Sequence, residues 1–146
     1  MRIGMYTNLD RLTASITCEG LWGKTFFDEL IVEAEGKNRR LYGPEIPKEQ
    51  RKPKPDGWGK LVENMGLVPD NSSIMEDRLN VIENALRHFD FRYAILVMAP
   101  TNHTSQEHYK TSLQETRERL NRWDGAPIIM VRDLSHIRTL LTSDSE

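Results

Sequence analysis

A chain of 146 residues has room for one domain of ordinary size, and with 38% apolar and 29% charged residues it lies far from the compositions that stay disordered. The formal net charge of −2 is too small to make the whole surface a binder of nucleic acid or membrane, so an electrostatic partner has to be met by a local patch. A single cysteine, Cys18, excludes an intrachain disulfide framework and a cysteine zinc knuckle, and no apolar run approaches the roughly 20 residues that span a bilayer.

In chain order, Ile3 to Tyr6 predicts a short strand that ends at polar Thr7-Asn8-Leu9-Asp10. The apolar part is too short for a secretory signal, so a cytoplasmic protein is the expectation. Phe26, Phe27, Leu30, Ile31 and Ala34 recur with helical spacing between Thr25 and Glu35, with Gly36 as a stop. Arg40 to Tyr42 predicts a second strand, after which Pro44, Pro47, Pro53 and Pro55 predict a loop to about Asp56. Trp58, Leu61, Val62 and Met65 mark a short helix closed by Gly66, and Leu67-Val68 an edge strand.

Ser73-Ile74-Met75-Glu76 reads as a capping box that opens a helix running to about His88. Its inner stripe is Met75, Leu79, Ile82, Leu86 and Phe89, with Val81 and Ala85 on the margin. Tyr93 to Ala99 is a continuous apolar run of strand length, the pattern of a central parallel strand buried on both faces. A polar loop, a charged helix from Ser105 to Trp123 and the Asp124-Gly125 turn lead to a second buried strand, Ile128 to Val131. A last helix near Leu134 to Leu141 frays into a short flexible acidic tail. The expected fold is a single α/β domain over residues 1–146, a three-layer α/β/α sandwich with a mostly parallel central sheet.

One charge feature stands out. From Lys37 to Lys54, seven Lys or Arg (Lys37, Arg39, Arg40, Lys48, Arg51, Lys52 and Lys54) face only Glu45 and Glu49, a net of +5, and four of the seven cations lie in a proline-rich loop at about 43–57. Arg39, Arg40, Lys48, Arg51, Lys52 and Lys54, with Trp58 as a stacking ring, form a candidate surface for single-stranded RNA or another nucleic acid. A solvated loop is the alternative. Within the charged helix, Glu115 with Arg119 and Glu118 with Arg122 sit four apart, the stabilising order of a solvated face.

Ligands of open α/β sheets collect beyond the carboxyl ends of the strands. The polar residues after each strand are Thr7, Asn8 and Asp10, then Glu76 and Asp77 at the helix start, then Thr101, Asn102 and His103, then Arg132 and Asp133. Such an oxygen-rich set suits Mg²⁺ or Mn²⁺.

The order and spacing of these segments resemble a NYN domain of the PIN-like nuclease superfamily. The resemblance runs from the opening strand and its Asn8 and Asp10, through Arg39-Arg40-Leu41-Tyr42-Gly43-Pro44, to the helix from Glu76 to Leu86, where Asp77 and Glu83 match two acidic positions. Ala94-Ile95-Leu96-Val97 matches the family's next strand, but Pro100 and Asn102 stand where an acidic pair is usual. The closing helix and strand are similar too, with Asp133 as a late carboxylate. The resemblance implies a metal-dependent ribonuclease with Asp10, Asp77 and Asp133 as catalytic carboxylates. Its metal set is Asn8, Asp10, Asp77, Glu83, Asn102 and Asp133, and its activity is slow or absent because Asn102 brings no charge. Six residues of helix turn through about 600°, so Asp77 and Glu83 point about 120° apart, do not grip one ion together, and Asp77 is the better direct ligand.

Three alternatives stay open. A TIR-like, NAD-cleaving domain would use Glu107 or Glu115, a restriction-type site would use Asp28, Glu35 and Lys37, and a non-catalytic interaction module would use neither. No membrane is expected as a partner, and a homo-oligomer remains open.

Overall fold

Two apolar runs separated by a charged helical stretch dictate the second half of the molecule, because such runs satisfy their backbones only as neighbours in a sheet. The computed structural model describes residues 5–6, 41–42, 46–100 and 104–132, which divide into two compact units, Met1–Val68 and Pro69–Glu146. The predicted helices at 25–35 and 134–141 lie outside the described residues, as do Cys18, Asp28, Glu35 and Lys37.

In the first unit, β1 (Met5–Tyr6) pairs parallel with β2 (Leu41–Tyr42), in the register Met5 with Leu41 and Tyr6 with Tyr42. A single 3₁₀ turn at Lys48–Gln50 precedes α1 (Pro55–Met65). The prolines therefore do not hold the segment irregular as far as Asp56. Pro55 occupies the first turn of α1, where a missing N–H costs nothing because that group has no intrahelical partner. Gly66, at φ 56°, stops the helix as expected. Its N–H donates to the Glu63 carbonyl and that of Leu67 to Val62, which closes a Schellman motif. Leu67 and Val68 form no strand: the Leu67 N–H is taken by the cap instead of a ladder.

Tyr6 ties this unit together. Its ring meets Trp58 edge-on with centroids 5.0 Å apart, and its hydroxyl accepts from the Lys52 N–H at 3.1 Å. The close approach depends on Gly57, since a Cβ there would overlap the Tyr6 hydroxyl and lie 2.8 Å from the Gln50 carbonyl oxygen.

The second unit is an α/β domain whose parallel strands alternate with helices, consistent with a Rossmann-like fold. Its order is β3 (Ser73–Glu76), α2 (Leu79–His88), β4 (Tyr93–Val97), α3 (Gln106–Leu120) and β5 (Ile128–Val131). The sheet has β4 in the middle, with Ser73 opposite Tyr93 on one side and Ala94 opposite Ile128 on the other. As its uninterrupted apolar run requires, β4 buries Ala94, Ile95 and Leu96.

One expected helix start is a strand. Ser73 to Glu76 pair residue by residue with Tyr93 to Leu96, so the capping-box pattern yields to a ladder that satisfies the same backbone groups. α2 begins only at Leu79, after Arg78 at its N-cap, and the buried face moves with it. Val81, Ile82, Ala85 and Leu86 are buried, whereas Met75 lies on β3 and is 47% exposed. α2 packs on β3 and β4. α3 starts at Ser105, whose Oγ accepts from the His108 N–H at 3.2 Å. After α3, the Trp123 indole N–H donates to the Ala126 carbonyl at 2.8 Å and carries the chain into β5. Among the described residues no helix is long and apolar enough to cross a membrane.

Candidate functional site

Parallel strands bring their carboxyl ends to one edge, so the residues that follow β3, β4 and β5 share that edge. After β3 comes Asp77, its side chain 76% exposed. It stands in the connection to α2 rather than on a helix, so the angular argument that set it apart from Glu83 does not apply. Its N–H donates to Glu76 Oε1 at 3.3 Å. The Glu76 side chain is only 7% exposed, and Arg78 Nε lies 3.7 Å from Glu76 Oε1 and 4.0 Å from Asp77 Oδ1. The Glu76 side chain thus helps fix the strand end, while the Asp77 side chain, beside Arg78, is largely exposed.

After β4, the Met98 N–H still donates to the Val131 carbonyl, which extends the ladder by one bond. The Met98 carbonyl accepts from the Tyr109 hydroxyl at 2.5 Å, tying the first turn of α3 to the strand end. After β5, the Arg132 guanidinium lies 6.0 Å from the centroid of the Tyr109 ring. Tyr109 escaped the sequence reading because nothing in its local pattern marks it.

Glu83 is placed elsewhere. It sits within α2, with its side chain 12% exposed, and Arg119 of α3 grips both carboxylate oxygens, Nε to Oε1 at 2.8 Å and Nη2 to Oε2. A carboxylate so held has its strong acceptor directions taken by the guanidinium fork. The expected pairing of Arg119 with Glu115 is replaced by this one, because a shielded carboxylate binds a cation more strongly than one in water. Arg122 likewise donates from Nε to the Glu118 backbone carbonyl, and the Glu118 carboxylate accepts from Gln114. Glu107 and Glu115, the candidates of the TIR-like alternative, are exposed residues of α3.

Among the described residues no group of three or more His, Cys, Asp or Glu side chains is placed to hold a metal ion. Asn8, Asp10, Asn102 and Asp133 lie outside the described residues, so of the expected ligand set only Asp77 and Glu83 have a described position.

The basic segment is partly built into the first unit. Arg51 donates from Nε to the Ile46 carbonyl at 2.8 Å, and Lys52 Nζ sits 5.0 Å from the Tyr6 ring centroid. Lys48 and Lys54 are exposed, while Arg39 and Arg40 lie outside the described residues. Trp58 is 4% exposed, and from that position its ring offers no face to a base. Comparison with protein-family models, curated proteins and solved structures returned no match.

Proposed function

We propose that the chain is a nucleic-acid-binding domain of the PIN-like, NYN type. The observation that supports this reading most is the exposed Asp77 carboxylate in the turn after β3, at the ligand-gathering edge of a parallel sheet. Asp77 is the residue of the second unit through which one Mg²⁺ or Mn²⁺ would be held, and the resemblance alone names Asp10, Asp133, Asn8 and Asn102 as its companions. Exposed carboxylate and amide oxygens are the donor chemistry these hard cations take. When bound, such an ion lowers the pKa of its water and neutralises phosphate charge. Glu83 takes no part in this set because its carboxylate is engaged by Arg119.

The chain's own residues contribute binding and orientation. Lys48, Arg51, Lys52 and Lys54 supply the cationic track for the phosphate backbone. Lys52 and Arg51 are anchored through Tyr6 and Ile46, which limits their freedom before any strand arrives. With Asn102 standing where the family has a carboxylate, RNA cleavage is slow or absent and binding is the principal activity.

The test is a labelled single-stranded RNA oligomer incubated with Mg²⁺, Mn²⁺ or EDTA, with wild type compared with Asp77→Asn. Metal-dependent cleavage lost in Asp77→Asn supports a surviving nuclease, and RNA binding without cleavage supports a binding-only domain. The reading fails if no RNA or DNA oligomer binds at low salt. Replacing Lys48, Arg51, Lys52 and Lys54 together by Gln should flatten the salt dependence of binding, because fewer counterions are then released.

A further inference from the structure

We propose that Arg132 is a phosphate-binding residue, held ready at the carboxyl edge of the sheet by Tyr109 and the end of β4. The ligand this favours, a phosphodiester of single-stranded nucleic acid, rests on the function proposed above; the phosphate chemistry itself does not.

Three successive elements meet at this point. The Met98 N–H is bonded to the Val131 carbonyl, so the ends of β4 and β5 are locked together immediately before Arg132. The Met98 carbonyl in turn holds the Tyr109 hydroxyl, which fixes the ring in the first turn of α3. The Arg132 guanidinium carbon lies 6.0 Å from the centroid of that ring, at the outer reach of a cation–π contact. Such a contact occupies none of the guanidinium N–H donors, and those donors match two phosphate oxygens at once. Arg132 is exposed, and among the described residues no carboxylate pairs with it. Arg78 and Arg119, by contrast, already have carboxylate partners. An arginine near a ring, rather than paired with a described carboxylate, keeps its full charge for an incoming anion.

Two measurements test this. In the first, the side-chain Nε–Hε NMR signals of the full chain are followed while inorganic phosphate or dimethyl phosphate is added. The Arg132 signal should shift saturably with at least one of them, and a larger response to dimethyl phosphate would mark the diester as the preferred form. An Arg132 signal unmoved by either compound overturns the proposal. In the second, anisotropy of a labelled single-stranded RNA oligomer is read over a range of salt. Arg132→Ala should weaken binding about 3- to 10-fold and lower the salt slope by about 0.7, the value for one phosphate contact on a single strand. Arg132→Lys should restore the slope. Tyr109→Phe should weaken binding with the slope unchanged, since the charge stays and only its anchor is lost.

If wild type binds RNA and Arg132→Ala, folded by circular dichroism, matches it in affinity and slope, the proposal is overturned and the nucleic-acid reading stands. If wild type binds no RNA but the Arg132 signal shifts saturably with phosphate, the nucleic-acid reading fails and the phosphate site stands.

Discussion

The ion pair between α2 and α3 gives a direct test of how this domain is held together. Replacing Arg119 by Met removes the guanidinium and keeps the side chain's length, leaving the Glu83 carboxylate, 12% exposed in the intact pair, without its fork. Breaking a fully buried pair in this way costs about 3 to 5 kcal/mol. Here the Arg119 side chain is 51% exposed, so water reaches one end of the pair and screens it. The expected loss is therefore about 2 kcal/mol. Glu83→Gln, which keeps an acceptor and removes the charge, should cost about 1 kcal/mol. The double variant Glu83→Leu, Arg119→Met leaves no stranded charge and should return to within about 1 kcal/mol of wild type. Urea unfolding followed by far-UV circular dichroism reads all of these, provided the denaturant slope is unchanged. A loss below about 0.5 kcal/mol for Arg119→Met is the range of an indifferent surface substitution and would refute the reasoning, as would strict additivity in the double variant.

Leu96→Ala should cost about 3 to 4 kcal/mol by the same measurement, because Leu96 is 0% exposed and its strand is bonded on both sides, which prevents collapse into the space left. Ile129→Ala, on the outer strand at 36% exposure, should cost less than half as much, and equal losses would refute the central placement of β4. Gly57→Ala should destabilise by about 1 to 3 kcal/mol and change Trp58 fluorescence, since the added methyl displaces Tyr6. A stabilisation, which Ala gives at an open helix position, would count against that contact. Ser105→Ala should cost about 1 kcal/mol through loss of the α3 cap, with Ser105→Asp close to neutral in a thermal melt.

Much of the second unit is legible in the sequence, and the reasons differ by element. The run at Tyr93–Val97 is apolar without a break, which a strand covered on both faces requires; the same pattern at Ile128–Val131 marks a strand but not the expected burial, because β5 is an outer strand on which Val131 is buried and Ile129 is 36% exposed. Gly66 reads as a stop because only a left-handed residue closes that cap. Ser73–Glu76 misleads, because its residue types also serve a helix start and the deciding partner, Tyr93 to Leu96, is distant in the chain. The site follows the same division. Asp77 is legible as a carboxylate near a strand end, although the element around it is not. An acid at position 83 looks like any solvated helix residue until Arg119 is placed beside it, and the meeting of Tyr109 with Arg132 joins segments that no local pattern links.

The consecutive order of β3, β4 and β5 also bears on how the domain comes to be formed. Joining Ser73 to Tyr93 closes a loop of 20 residues, and joining Ala94 to Ile128 closes one of 34. Loop closure grows only with the logarithm of length, so the first closure is cheaper by about 0.5 kcal/mol, and α2 lies entirely within it. Assembly from such near-neighbour pairings keeps contact order low for a parallel sheet, whose folding is slow when its strands must search for remote partners. The β3–α2–β4 crossover, the shorter of the two closures, is complete in the chain before α3 and β5 follow it.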